Sequence, residues 1–374
     1  MREKFGSKTS FIMASVGSAV GLGNIFRFPA LASSYGLGFI VVYMLFLFLA
    51  GIPLLKAELL FGRSGKADTK EALPALVPSA VACGVILCCY IALSTLLLKN
   101  TFLPTAPDRA NPFFVVILCA VCLALFGSAE RIGKLSTVGV FFAAAVLFAT
   151  ALFCAARNPQ SLIAFLRIDT SAFLLPELWF GAAAQCFFSL SVAVWVMPNF
   201  GAMTDRTIPL KKCAVTIALA DAAVSLAATI IYCTVSTSKD SLLSAFSVYS
   251  QSLGGGVSTA FFAALLILCL ASVISYIKGL TRPLSKASHL SQEKLCAIVL
   301  VLSGGAAIYL LCFSNLLEKA DSHLVPPLTL FAAFCESLLF ARYKNPPLFG
   351  RFSAFFVPVL LFLIFSYKIF FSPS

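Results

Sequence analysis

An all-α integral membrane fold of about eleven transmembrane helices is expected from three features: composition, the spacing of apolar runs, and the distribution of basic residues. Of 374 residues, 60% are hydrophobic and 11% charged, whereas a soluble domain carries roughly 25% charged residues. The mean hydropathy of +0.99 fits a chain whose solvent is largely lipid. A helix needs about 20 apolar residues to cross the hydrocarbon core. Runs of that order lie near 9–33, 36–62, 73–98, 112–128, 135–156, 176–203, 213–235, 256–281, 295–313, 323–341 and 353–372. The connections are short, so residues 1–374 read as a single membrane domain. The first run is too long for a cleavable leader and carries Arg27.

The net charge of +12 is distributed as a membrane protein's would be, not as a nucleic-acid surface. With the amino terminus inside, 18 of the 27 Lys and Arg residues fall on the cytoplasmic side and 7 outside, and Arg27 and Lys56 lie within spans. That bias supports eleven spans in the cell (inner) membrane, with the carboxy terminus outside. The 13 cysteines sit almost wholly in apolar runs, and Cys119 and Cys122 read as small apolar fillers. With His289 and His323 isolated, neither a zinc site nor a disulfide framework is expected. No metalloprotease helix, phosphate-binding loop or nucleophile–base pair is present, so the chain does not read as an enzyme.

Polar and small residues inside the spans point to function. Gly17, Gly21 and Gly23 crowd the middle of the first run beside Ser18 and Asn24, ahead of Arg27 and Pro29. Glycine weakens a helix interior by about 1 kcal/mol relative to alanine, so unwinding is expected at Gly21-Leu22-Gly23. Unwound backbone at membrane depth is tolerated only against protein or a water-filled cavity. It offers carbonyls to a cation and amides to a carboxylate. The sixth run holds a comparable polar stretch, Gln185 to Ser191. Two breaks five spans apart fit an inverted repeat, about 8–156 against about 172–341, with an extra helix near 353–372. Asp221 lies nine residues past Lys212, about 13 Å into the membrane. An ionisable group at that depth is costly and points to ion coordination or proton relay. Glu58 and Glu336 are shallower and fit structural hydrogen bonding at least as well. Arg27 and Asp321 lie above the break, placed to close it from outside.

These residues resemble a known family. Ser18-Ala19-Val20-Gly21-Leu22-Gly23-Asn24-Ile25-Phe26-Arg27-Phe28-Pro29 resembles the first-helix signature of the neurotransmitter:sodium symporters. Gly51-Ile52-Pro53-Leu54 with Glu58 and Gly62-Arg63 resembles their second helix, and Gln185 with Phe187 to Ser191 their sixth. The resemblance to bacterial sodium-coupled amino-acid transporters implies the leucine-transporter-type fold, a 5+5 inverted repeat with helices 1 and 6 unwound at mid-membrane. It also implies sodium-coupled import of a neutral amino acid by alternating access, a hydrophobic or aromatic one on the pocket's composition. The substrate carboxylate would meet the amides of Leu22 and Gly23 and the Tyr90 hydroxyl. The ammonium would meet the carbonyls of Ala19, Phe188 and Ser189, near Ser191. Ile86, Phe188, Val194, Ser272 and Tyr276 would set specificity. A first sodium site would use Ala19, Asn24, Ser189 and Asp221, and a second Gly17, Val20, Leu268 and Ser272. Arg27 and Asp321 would form the outer gate.

The sequence departs from that pattern at three places. Ala271 replaces a threonine hydroxyl of the second sodium site, so one sodium ion is expected and the second is in question. Lys286 replaces the inner-gate aspartate that would pair with Arg2. Val192-Ala193-Val194-Trp195 replaces a glycine-containing break. Asp221 supplies a fixed negative charge, so no chloride requirement is expected. The expected partners are an amino acid and the lipid bilayer, with no nucleic acid. Proton coupling through Asp221, and a non-transporting receptor or channel on the same helices, stay open as alternatives.

Overall fold

The first apolar run is not one helix. In the computed structural model, α1 (Lys8–Ala19) starts at Ser7, whose hydroxyl accepts the Ser10 amide at 3.0 Å, and ends where Val20 turns to extended backbone. The chain resumes in a widened π turn, Gly23–Arg27, that leads into α2 (Phe28–Tyr35). The two halves are bent by 59°. The break therefore falls at Val20-Gly21, just before the expected Gly21-Leu22-Gly23, and Gly23 belongs to the π turn. The structure describes residues 4–103, 114–116, 118–119, 122, 129–165, 170–235, 242–288, 290–342, 357, 359–360 and 362–363. The runs expected near 112–128 and 353–372 lie largely outside these, as do Arg2 and His289.

Proline explains the π turns. The first is followed by Phe28-Pro29. The second, Leu47–Gly51, joins α3 (Leu37–Phe46) to α4 (Ile52–Arg63) and is followed by Ile52-Pro53. A third, Ala320–Leu324, joins the helix Ser314–Lys319 to the helix Val325–Arg342 and is followed by Val325-Pro326. In each case the residue before proline donates its amide five residues back, to Gly23, Leu47 or Ala320. The proline itself has no N–H to give, so the ladder widens by one residue rather than leaving a carbonyl unserved in lipid.

The remaining described helices are α5 (Leu73–Phe102), α6 (Ala129–Arg157), α7 (Pro159–Phe165), α8 (Pro176–Ser189), α9 (Val196–Ala202), α10 (Leu210–Val235), α11 (Leu242–Leu253), α12 (Gly255–Ala287), α13 (Gln292–Cys312), α14 (Ser314–Lys319) and α15 (Val325–Arg342). Among the described residues, seven helical segments are long and apolar enough to cross a membrane, and the bent first pair makes an eighth. The chain is an all-helical, multi-pass membrane protein. Side chains such as Val138, Leu152 and Val301, on α6 and α13, point outward and are about 70% exposed (72%, 73% and 69%), as expected of surfaces solvated by lipid.

The interior is formed by α1, α5, the α8–α9 segment and α12. α5 packs along α12 and α15, and α1 packs along α6 and α12. α4 and α9 approach each other backbone to backbone. A Cβ on Gly62 would land on the Pro198 carbonyl, and one on Gly201 would land on the Leu59 carbonyl. Backbone cannot step aside as a flexible side chain can, and overpacking typically costs about 1–3 kcal/mol. Gly62→Ala is therefore expected to destabilise the protein by at least that much and to lower the yield of monodisperse protein, read by thermal unfolding and size exclusion in detergent.

Candidate functional site

Unwinding α1 deprives the carbonyls of its last turn of their helical donors. Two hydroxyls reach them. Ser191 Oγ donates to the Ser18 carbonyl at 2.7 Å, and Ser272 Oγ, on α12, lies 3.2 Å from both the Gly17 and Ser18 carbonyls. Ser272 Oγ also lies 3.1 Å from the Leu268 carbonyl. Gly17, Leu268 and Ser272 are thus brought together, with the Ala271 methyl 3.4 Å from where a Gly17 Cβ would be. Val20 is the end residue of α1, in extended backbone.

Asn24 folds back on the break, its Oδ1 accepting the Gly21 amide at 3.1 Å. Its Nδ2 donates to Asp221 Oδ1 at 2.6 Å and to Ser225 Oγ at 2.8 Å, both on α10. The other oxygen of Asp221 accepts from Ser189 Oγ at 2.8 Å and from the Tyr43 hydroxyl at 3.2 Å. Asp221 is fully buried, and among the described residues it has no cationic partner. Asn24, Ser189 and Asp221, drawn from the first break, α8 and α10, are brought together.

Tyr43 was not anticipated. It lies in the unbroken apolar stretch Phe39–Phe46, where no polar neighbour singles it out. Its ring is set edge-on against Phe28, with centroids 4.8 Å apart, which aims the hydroxyl at Asp221. Gln185 also reaches the break, donating to the Gly23 carbonyl at 3.0 Å.

Above the break the aromatic residues converge. Tyr90 and Tyr276 meet edge to face at 5.4 Å, and Tyr90 and Phe188 at 6.1 Å. The Tyr276 hydroxyl lies 3.1 Å from Ser191 Oγ. Gly21 and Gly23 are required by close approach. A Cβ on Gly21 would overlap the Tyr90 hydroxyl, and one on Gly23 would overlap the Phe188 ring. Ala19, Leu22, Ile86 and Val194 are buried in the same core. The Arg27 guanidinium lies over the Phe188 ring, 5.4 Å from its centroid. Asp321 is near enough to attract it electrostatically. Among the described residues Arg27 Nη1 has no hydrogen-bond partner, and no ion pair joins Arg27 to Asp321.

The second break forms without glycine. Ser191, Ala193 and Trp195 have φ of 50°, 61° and 61°, the left-handed region that costs an L-residue roughly 1–2 kcal/mol each. Hydrogen bonds hold them there. The Ala193 amide donates to Glu58 Oε1 at 2.7 Å, and Ser191 ties the second break to the first. Glu58 thus makes a structural hydrogen bond to the second break.

At the end of the bundle where α1 begins, Phe5 N donates to the Met203 carbonyl at 3.1 Å and the Phe5 ring meets Phe200 edge-on. Lys4 Nζ pairs with Asp205 Oδ2 at 3.0 Å. The Lys4 hydrogen bond, aided by the Thr207 amide, holds the Asp205 carboxyl below its ordinary range. That small contribution exists above the unfolded pKa and disappears as pH falls through the depressed one. Lys286 stands in the last turn of α12, outside this contact.

With this geometry in hand, comparison with known proteins is informative. Residues 2–101 match the model of the sodium:neurotransmitter symporter family. Over that first stretch the chain is similar to the sodium:neurotransmitter symporters. That family consists of transporters and not enzymes. Among curated relatives, the uncharacterized sodium-dependent transporter YhdH of Bacillus subtilis is 25% identical over 60% of this chain and 57% of its own length. A Methanocaldococcus jannaschii sodium-dependent transporter, also uncharacterized, is 29% identical over 58% of this chain and 52% of its own. A Xenopus laevis sodium- and chloride-dependent glycine transporter is 39% identical over 23% of the chain. The chain spans about half the length of the curated relatives it matches most extensively. The crystal structure of MhsT in complex with L-phenylalanine superposes with a TM-score of 0.84 at 20% identity, over 98% of this chain and 99% of that one. It establishes the fold.

Ser191→Ala removes the hydroxyl that joins the two breaks and leaves buried groups short of a partner, which costs about 1–3 kcal/mol. A drop in apparent unfolding temperature of that weight is expected in thermal denaturation of the purified variant.

Proposed function

We propose that this protein is a sodium-coupled symporter that imports a neutral amino acid with an apolar or aromatic side chain by alternating access. The observation that carries this reading is Asp221, a buried carboxylate ringed by neutral donors, beside an unwound helix. A charge at that depth costs roughly 2.5–3.5 kcal/mol or more unless it is compensated. Asn24 Nδ2, Ser189 and Tyr43 compensate it in part. A hard monovalent cation suits the all-oxygen set of Asp221, Ser189, the Ala19 carbonyl and Asn24 Oδ1. Entering there, sodium replaces the Asn24 amide as the partner of Asp221.

The substrate lies on the other side of the break. Its carboxylate takes the Leu22 and Gly23 amides and the Tyr90 hydroxyl. Its ammonium takes the Ala19, Phe188 and Ser189 carbonyls, with Ser191 nearby. Its side chain faces Ile86, Phe188, Val194, Ser272 and Tyr276. The aromatic character of Tyr90, Phe188 and Tyr276 favours an apolar side chain, and MhsT, similar to this chain in fold, holds L-phenylalanine. Arg27 and Asp321 close the outer side and Lys4–Asp205, with Phe5 on Phe200, the inner, taking the place of the gate that Lys286 precludes. The amino terminus is then cytoplasmic. Because ion and substrate share the break, each raises the affinity for the other reciprocally.

The reading assigns one sodium ion to the Asp221 site. A second, at Gly17, Val20, Leu268 and Ser272, lacks a hydroxyl at Ala271, and the Ser272 hydroxyl is already engaged with the carbonyls it would share with the ion.

Sodium at about 100 times its Kd adds about 2.7 kcal/mol to apparent stability. Wild-type protein is expected to show that shift with sodium and a further one with L-phenylalanine or a similar amino acid. Asp221→Asn is expected to lose the sodium-dependent shift while remaining folded. In proteoliposomes, uptake should need an inward sodium gradient. Uptake that persists without sodium and collapses with the pH gradient would assign coupling to protons instead.

The fixed charge of Asp221 also removes the need for an anion to balance sodium. Replacing chloride by gluconate should leave the uptake rate unchanged, and a several-fold loss would overturn this assignment.

A further inference from the structure

One side of α12 runs past both breaks and then along α9. Ser272 Oγ lies 3.2 Å from the Gly17 and Ser18 carbonyls, and the Tyr276 hydroxyl lies 3.1 Å from Ser191 Oγ. One turn on, a Cβ on Gly279 would lie 3.2 Å from the Val196 Cα and 3.4 Å from the Trp195 carbonyl oxygen. Arg282, three residues further, reaches Asn199. Steps of three or four residues keep all these positions on one side of the helix.

Arg282 Nη1 donates to the Asn199 carbonyl at 3.1 Å and to Asn199 Oδ1 at 2.6 Å. In a regular helix the Met203 amide would serve that carbonyl, four residues back. Here it turns to the Phe200 carbonyl at 3.0 Å as α9 ends. The guanidinium stands in for it, and a cation at the carboxy end of a helix is also favoured by the helix dipole. Asn199 is buried, so losing this donor leaves two buried acceptors short of a partner.

The bond joins two units. α9 is locked to α4, where Gly62 and Gly201 let backbone meet backbone, and its end carries Phe200 and Met203, which hold Phe5. α12 packs along α5 and α6. Gly279 gives the two units a backbone contact, and Arg282 adds a pair of charge-assisted hydrogen bonds. Such bonds are roughly twice as strong as neutral ones. Ser191, Ala193 and Trp195, all at positive φ, lie immediately before α9. Strain of that kind persists only while the surroundings hold the segment in place.

We propose that Arg282 is a positioning residue that latches α9 to α12 and so keeps the Phe5 end of the bundle closed. Its release lets α9 leave α12 together with α4, and opens the second break from that side. That this side is the inner one rests on the alternating-access reading above.

The test is hydrogen–deuterium exchange of the purified full chain in detergent, read by mass spectrometry without sodium or solute. Arg282→Met is expected to speed exchange in α9 and residues 203–208 by roughly tenfold or more, the weight of a hydrogen bond to a charged group. α10 and α15 should be unchanged. Asn199→Ala removes one acceptor and keeps the guanidinium. It should speed the same amides several-fold and, combined with Arg282→Met, add nothing, because both variants break one contact. Asn199→Asp should slow them, by turning a hydrogen bond into an ion pair. Faster exchange spread evenly over the chain overturns the proposal. So do additive effects, no change in Asn199→Ala, or exchange no slower in Asn199→Asp. The Asn199 variants decide the matter if Arg282→Met does not fold. Absence of sodium-driven uptake by wild-type proteoliposomes would sink the symporter reading and leave this exchange pattern standing.

Discussion

The contact between Asp221 and Asn24 is the constraint on which the rest of this core depends. An unwound stretch of membrane helix must have its polar backbone served from elsewhere, and Asn24 does this by folding its Oδ1 onto the Gly21 amide. Asn24 can hold that pose because its Nδ2 is anchored to Asp221 and Ser225 on α10. Asp221 in turn fixes Ser189 at the end of α8 and Tyr43 on α3. One carboxylate thus sets the position of four separate chain segments around a point where no single helix runs through. The arrangement is polar and buried, so it is favourable only when complete.

The two breaks reach the same outcome by different chemistry. The first uses glycines at positions where the Tyr90 hydroxyl and the Phe188 ring press against the backbone, and proline-directed widening begins a few residues later. The second has no glycine and holds three L-residues at positive φ. That strain is met by bonds from outside the segment, from Glu58 and from the Ser191–Ser18 link. Because Ser191 bonds the carbonyl of Ser18, the breaks are coupled directly: displacement of one removes a partner from the other. Bistable packing of this kind lets a small change at a binding site become a rigid-body movement.

Much of this was legible in the sequence. Composition and run length specify an all-helical membrane fold, and the first-helix signature locates the first break to within one residue. Asp221 could be singled out because a carboxylate at that depth has few bland explanations. Tyr43 could not, since a tyrosine within Phe39–Phe46 is indistinguishable from a core aromatic until α8 and α10 are placed beside it. The contact proposed to replace the inner gate was equally hidden. Lys286 announces that the usual pair is absent, but the Lys4–Asp205 contact joins residues 201 positions apart and has no sequence signature. The π turns were readable in principle, as each precedes an Xaa-Pro pair, yet Pro78 and Pro283 lie inside helices without one. Proline alone therefore marks an opportunity for a wide turn, and the packing of the neighbouring segment decides whether it forms.

The two acidic sites of the interior illustrate how hydrogen-bond accounting separates groups that sequence treats alike. Asp221 and Glu58 are both buried carboxyls on membrane helices beside a break. Asp221 is met by three side-chain donors, from Asn24, Ser189 and Tyr43, and all of its bonds can be drawn with the carboxyl ionised. Glu58 has one backbone donor, the Ala193 amide, and its Oε2 has no hydrogen-bond partner among the described residues. The same residue chemistry therefore serves as a hub of side-chain donors at the first break and as a single backbone acceptor at the second. Asp221, without a cationic partner among the described residues, is a point at which an entering cation is favoured.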